Sequence, residues 1–127
     1  MRIDIDAKEF STIDEFFIQV ELHLTNEPEA DFSHDFIGFE DVLMGGFGIH
    51  DFEEPLKIVW KNSEKSRKEL NYKATVAYLE ELLDSKNGKS TELEKDLKKA
   101  KKNEGLTLFD MICDIANDLE NVELLLK

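Results

Sequence analysis

Three short segments that read as strands, with helical stretches between them, constrain the fold of this chain more than any other feature. Residues 2–6 alternate Ile3 and Ile5 with Asp4 and Asp6, the period-two pattern of a strand with one covered face. Residues 56–60 form an apolar run broken only by Lys57 and rich in β-branched and aromatic side chains, which suits a strand buried on both faces. Residues 122–126, Val-Glu-Leu-Leu-Leu, read as a strand from position and burial more than from β-branching. Strand, two helices, strand, helices, strand is the order that builds a parallel sheet with right-handed crossovers. The expected fold class is therefore α/β: a three-stranded parallel sheet covered by helices.

The helical stretches carry their own start and stop signals. Ser11 with Asp14 has capping-box spacing and Phe10 stands where a hydrophobic staple would, so a first helix opens there. Its core face is Ile13, Phe16, Phe17, Val20 and Leu24, and Asn26 to Pro28 stop it. Ser33 can cap a second helix from His34 to about Met44, with Phe36, Phe39 and Leu43 inward and His34, Ile37, Gly38, Asp41 and Met44 outward. Gly45 and Gly46 end it, and a loop follows over residues 45–55. Residues 62–70 read as a short polar helix, and Asn71 can cap another through Val76, Leu79, Leu82 and Leu83, ending at Asn87-Gly88. A third polar helix turns Leu93, Leu97 and Ala100 inward, with Lys98, Lys99, Lys101 and Lys102 as a solvated end suited to the helix dipole. Thr107 and Asp110 open a final helix whose stripe is Leu108, Phe109, Ile112, Ile115, Ala116 and Leu119. The 127 residues make one domain, with residues 72–103 as a helical insertion in the second crossover.

Charge narrows the function. The net charge of −13 is uneven: residues 1–60 hold 15 acids and 3 bases, residues 61–105 hold 9 and 12, and residues 106–127 hold 5 and 1. Nucleic-acid binding draws its affinity from Lys and Arg displacing counterions, so direct contact with nucleic acid is not expected. The same field attracts a basic protein and steers its approach. Apolar runs such as 16–18 and 124–126 fall far short of the roughly 20 residues of a membrane-spanning helix. With acid by the fourth position and no apolar leader, the sequence reads as cytoplasmic, and a lone Cys113 fits a reducing compartment.

No constellation for catalysis stands out. His23, His34 and His50 are scattered, without the spacing that places two imidazoles on one metal, so neither a metal nor another cofactor is expected. His34 near Asp35 and His50 beside Asp51 read as chance pairs in so acidic a chain. Cys113 flanks a buried stripe and has no His at a predictable partner position, which suits a packed small residue. Gly45-Gly46-Phe47-Gly48 follows a helix, lacks the Lys and Ser or Thr of a phosphate loop, and sits among acids. Trp60 reads as core, although the strand end it occupies is where α/β folds tend to bind ligands. The chain is expected not to be an enzyme.

Taken in order, several motifs resemble the barstar family, the intracellular inhibitors of secreted ribonucleases. They are Ile3-Asp4-Ile5-Asp6 with Phe10, the run from Phe36 to Gly48, Pro55 to Trp60, Asn62 to Ser66, Thr107-Leu108-Phe109-Asp110 and the closing Val122 to Leu126. The resemblance covers nearly the whole chain, and residues 72–103 place it with the longer members. It implies a small parallel sheet with helices, in agreement with the pattern above. It also implies an immunity protein whose second helix and preceding loop push side chains into the basic cleft of a toxin. The matching positions are Asp31 and Phe32 in the loop, Ile37, Glu40, Asp41 and Gly45 on the helix, and Asp114 near the end of the final helix. Asp41 keeps the family's central acid, Ile37 stands where an acid is expected, and Glu40 replaces a frequent aromatic or amide.

The leading expectation is a stoichiometric inhibitor, monomeric when free, whose partner is a basic toxin of the secreted-ribonuclease kind and whose chief phosphate mimic is Asp41. The alternative is an acidic interaction module of the same fold that binds a different, non-ribonuclease partner, for which the uncharged Ile37 speaks.

Overall fold

The computed structural model describes residues 1–25, 34–45, 50–85, 88 and 90–127. Strands β1 (Arg2–Asp6), β2 (Leu56–Lys61) and β3 (Val122–Leu126) form one parallel sheet in the order β1-β2-β3. Ile3 lies beside Ile58, and Ile58 beside Leu124. Helices α1 (Ile13–Leu24) and α2 (Phe36–Met44) fill the first crossover; α3 (Ser63–Glu69), α4 (Tyr72–Ser85), α5 (Thr91–Lys101) and α6 (Leu108–Asp118) fill the second. This is the α/β architecture read from the sequence, a three-stranded parallel sheet covered by helices.

Side chains alternate across a sheet, so Ile3, Ile5, Ile58, Trp60 and Leu124 face the helices while Arg2, Asp4, Lys57, Val59, Glu123 and Leu125 lie on the other face. The helix-facing side is an aromatic core. Trp60 stacks on Phe16 at 5.2 Å between ring centroids and meets Phe109 at 5.0 Å, while Phe39 packs edge-on against Phe16 at 5.5 Å. The buried indole N–H donates to Ser66 Oγ at 3.1 Å, so Trp60 enters the core with its one polar group satisfied. Lys65 ties the turn between β1 and α1 to α3: its ammonium donates to the carbonyls of Ala7 and Phe10, both at 2.8 Å, and to the Glu69 carboxylate at 2.6 Å.

Two helix starts differ from the sequence reading. The first capping box is Thr12 with Glu15, one residue beyond Ser11 and Asp14: Thr12 Oγ1 accepts from the Glu15 amide, and the Glu15 carboxylate accepts from the amides of Thr12 and Ser11. Phe10 is still buried and meets the Phe16 ring at 5.5 Å. The second helix starts at Phe36 rather than His34, and its cap is Asp35, whose carboxylate accepts from the Gly38 amide at 2.7 Å. Ser33, Gly46, Phe47, Gly48 and Asn87 lie outside the described residues. The box at Thr107 and Asp110 forms as read, and Asn71 Oδ1 accepts from the Ala74 amide at the start of α4.

The segment read as an insertion contains helices α4 and α5, which pack on each other, and α4 is joined to the core. Thr75, fully buried, accepts from the Leu108 amide at 2.9 Å and donates to the Asn71 carbonyl at 2.7 Å. Among the described residues, no helix is long and apolar enough to cross a membrane.

Candidate functional site

The outward face of α2 is set by three anchors. At its start, the Asp35 cap fixes the helix entry. Along its length, Phe39, Val42 and Leu43 are buried, and Phe36 meets Phe17 of α1 edge-on at 5.6 Å and Tyr78 of α4 at 5.6 Å. A second link to α1 is made by His34, whose Nε2 donates to the Glu21 carboxylate at 2.7 Å. Burial, reinforced by the carboxylates of Asp35, Asp14 and Glu81, pushes the Tyr78 phenol up to about 12, so this buttress stays neutral.

At its end, Gly45 takes φ +92° and its amide donates to the Val42 carbonyl at 3.2 Å. A Cβ at this position would stand 2.1 Å from the Asp51 carbonyl oxygen. The chain then folds back tightly: the Glu53 amide donates to the Met44 carbonyl at 2.6 Å, and Asn121 Nδ2 donates to the carbonyls of Leu43 and Glu54 at 3.0 and 3.2 Å. His50 is buried at 3% exposure; its Nε2–H donates to the Leu43 carbonyl at 3.3 Å and its Nδ1 has no partner among the described residues.

With those anchors in place, Ile37, Glu40 and Asp41 are exposed together, with the half-buried Met44 one turn on. Their spacing of three, four and seven residues places them on one side of the helix. Ile37 is 75% exposed, so the face is an apolar tip flanked by two carboxylates. Gly38, read as outward, is buried: it lies on the core side, where the Asp35 cap holds its amide. Gly45 is buried too, and therefore positions the end of α2 rather than offering a side chain to a partner. Asp114 is exposed on α6, which packs against α2. Asp31 and Phe32 lie outside the described residues.

Sequence reasoning missed a neighbouring hollow of about 490 Å³ where the ends of α2 and α6 converge, lined by Met44, Glu53, Asp118, Leu119 and Glu120. Its rim is acidic and its lining partly apolar, so the character of the α2 face continues across it. No periodicity within α2 or α6 alone could reveal it, because the topology brings the two helix ends together. Phe52, 62% exposed in the same returning segment, was also not singled out.

The Cys113 thiol is pushed up to about 11 by burial, aided by Asp110 and Asp114 and opposed by Arg67, which leaves almost no thiolate at neutral pH. Among the described residues, no group of three or more His, Cys, Asp or Glu side chains is placed to hold a metal ion. In comparisons with known proteins, the chain matches no family model, no curated protein and no solved structure.

Proposed function

We propose that this protein is a non-enzymatic inhibitor that docks the outward face of α2 into the basic active-site cleft of a toxin ribonuclease, as an immunity protein of the barstar kind. The observation that carries the reading is the joint exposure of Glu40 and Asp41 on a helix whose other sides are locked by Phe36, Phe39, Val42 and Leu43. A rigid helix presents carboxylates at fixed spacing, so little ordering entropy is spent on binding. Two carboxylates beside each other can take the places of phosphates in a cleft built for RNA, and the net charge of −13 speeds the encounter with a basic partner. The proposed contact set is Asp31, Phe32, Ile37, Glu40 and Asp41, with Gly45 setting the end of the helix and Asp114 at the periphery.

One observation favours a second reading. Ile37, the most exposed large apolar side chain on this face, stands beside the carboxylates, which suits a partner whose pocket is apolar with a basic rim. On that reading the protein is an acidic interaction module for a partner other than a ribonuclease. Titration into a basic ribonuclease toxin encoded beside its gene distinguishes the two. The inhibitor reading expects RNA cleavage to stop at one equivalent, with affinity falling steeply as salt rises. Full cleavage at excess protein rejects it, and binding that scarcely changes with salt favours the second.

A further inference from the structure

The two edges of the sheet are built differently. The Met1 carbonyl accepts from the Lys57 amide, so residues 1, 3 and 5 turn their backbone toward β2, and Arg2, Asp4 and Asp6 turn theirs outward. Charge guards that edge, where Arg2 pairs with Asp4 at 2.9 Å and Asp4 with Lys61 at 3.3 Å. On the other side, the Leu56 amide donates to Asn121 O and the Lys127 amide donates to Trp60 O, so odd-numbered residues of β3 face β2. Val122, Leu124 and Leu126 therefore turn their amides and carbonyls away from the sheet. Val122 N–H is spent on the Leu119 carbonyl at 3.1 Å, whereas Leu124 and Leu126 bond no other backbone or side chain among the described residues. Leu126 is 41% exposed, and no lysine, proline or bulge interrupts Val122–Leu126.

We propose that the β3 edge pairs antiparallel with β3 of a second copy of this chain, joining two sheets into one of six strands about a twofold axis at Leu125. This departs from the monomer expected from the sequence. The register follows from which groups are free. Placing Leu124 opposite Leu126 of the second copy uses the open amides and carbonyls of both residues, whereas a register centred on Leu124 would call on the Val122 amide already engaged in the turn. The chosen register also sets the exposed Glu123 opposite Lys127 of the second copy, twice over, on the face that carries Leu125. Opposite charges meet directly, and the exposed Leu126 is covered by a leucine. An isologous pairing of this kind closes at two copies. So short a contact makes a weak, concentration-dependent dimer.

Sedimentation velocity across a wide concentration range tests this directly. The wild type should move from one-chain mass toward two-chain mass and stop there. Leu126→Pro removes an amide that β2 does not use, so circular dichroism should be unchanged while the dimer is lost. Glu123→Lys and Lys127→Glu should each weaken dimerisation roughly tenfold by setting like charges opposite, and the double exchange should restore it. A wild type that stays at one-chain mass throughout, growth beyond two chains, a dimer indifferent to Leu126→Pro, or a double exchange that fails to recover would each overturn the proposal.

Discussion

Gly45→Ala is the substitution most able to expose an error in how α2 is anchored. The backbone there has φ +92° and ψ −178°, a region that only glycine occupies without strain, so any side chain costs about 1–3 kcal/mol. The new Cβ would also stand 2.1 Å from the Asp51 carbonyl oxygen and 3.0 Å from His50 Cδ2. That carbonyl belongs to backbone folded back beside the helix end, and relieving the overlap adds about 1–3 kcal/mol more. The total is about 2–6 kcal/mol, a large share of the roughly 5–15 kcal/mol that holds a domain together. Gly105→Ala is the internal control: its φ is +79°, but the nearest atom to a Cβ there is Lys99 Cβ at an ordinary 3.6 Å, so only the backbone strain of about 1–2 kcal/mol remains. Equilibrium urea unfolding of both variants reads the difference. If Gly45→Ala costs no more than Gly105→Ala, the close return of residues 50–54 against α2 is wrong.

Three further outcomes follow from the geometry. Lys65→Met leaves the Ala7 and Phe10 carbonyls and the Glu69 carboxylate without their shared donor and should cost about 2 kcal/mol in urea unfolding; a loss near zero would mean that water replaces the ammonium freely. The hydrogen bond from Lys65 holds the Glu69 carboxyl below its ordinary 4.5, and bonds from the Lys8 amide and Asn62 hold Asp6 below 3.8. Depressed values in the folded state stabilise it above the unfolded values, so stability should fall as pH drops below about 4.5, less steeply in high salt because these groups are partly exposed, and Lys65→Met should shallow that fall; an acid limb identical in the two proteins would contradict the assignment. Cys113, with its thiol near 11, should resist iodoacetamide at neutral pH in the folded protein and react on unfolding, as followed by mass spectrometry; rapid labelling of the native protein would refute its burial.

What could be read from the sequence, and what could not, divides along physical lines. The strands were legible because Ile3 and Ile5 alternate with acids and because the run from Leu56 to Trp60 has no helical period. Helix starts slipped by a residue or two where adjacent side chains can all cap: Ser11 and Thr12 both carry hydroxyls, and it is Thr12 Oγ1 that accepts from the Glu15 amide. At the second helix the capping side chain is Asp35, which accepts from the Gly38 amide. The exposure of Ile37 and Asp41 followed from helical period, whereas Glu40, exposed beside them, was named only through the resemblance. The burial of Gly38 did not follow, since a residue with no side chain leaves no hydropathy signal of the face it occupies. The hollow beside Met44 and the closeness of Asp51 to Gly45 arise from segments far apart in the chain or from a loop, where no local pattern records the approach.

On the proposed function, the α2 face binds through charge set at Asp41. The most direct measurement is the dissociation constant of Asp41→Asn, of the same shape but uncharged, with the basic ribonuclease, alongside the wild type at low and high salt. Affinity should weaken by about thirtyfold or more at low salt, with a shallower salt dependence than the wild type. An unchanged dissociation constant for Asp41→Asn, in a protein that otherwise inhibits, would contradict it.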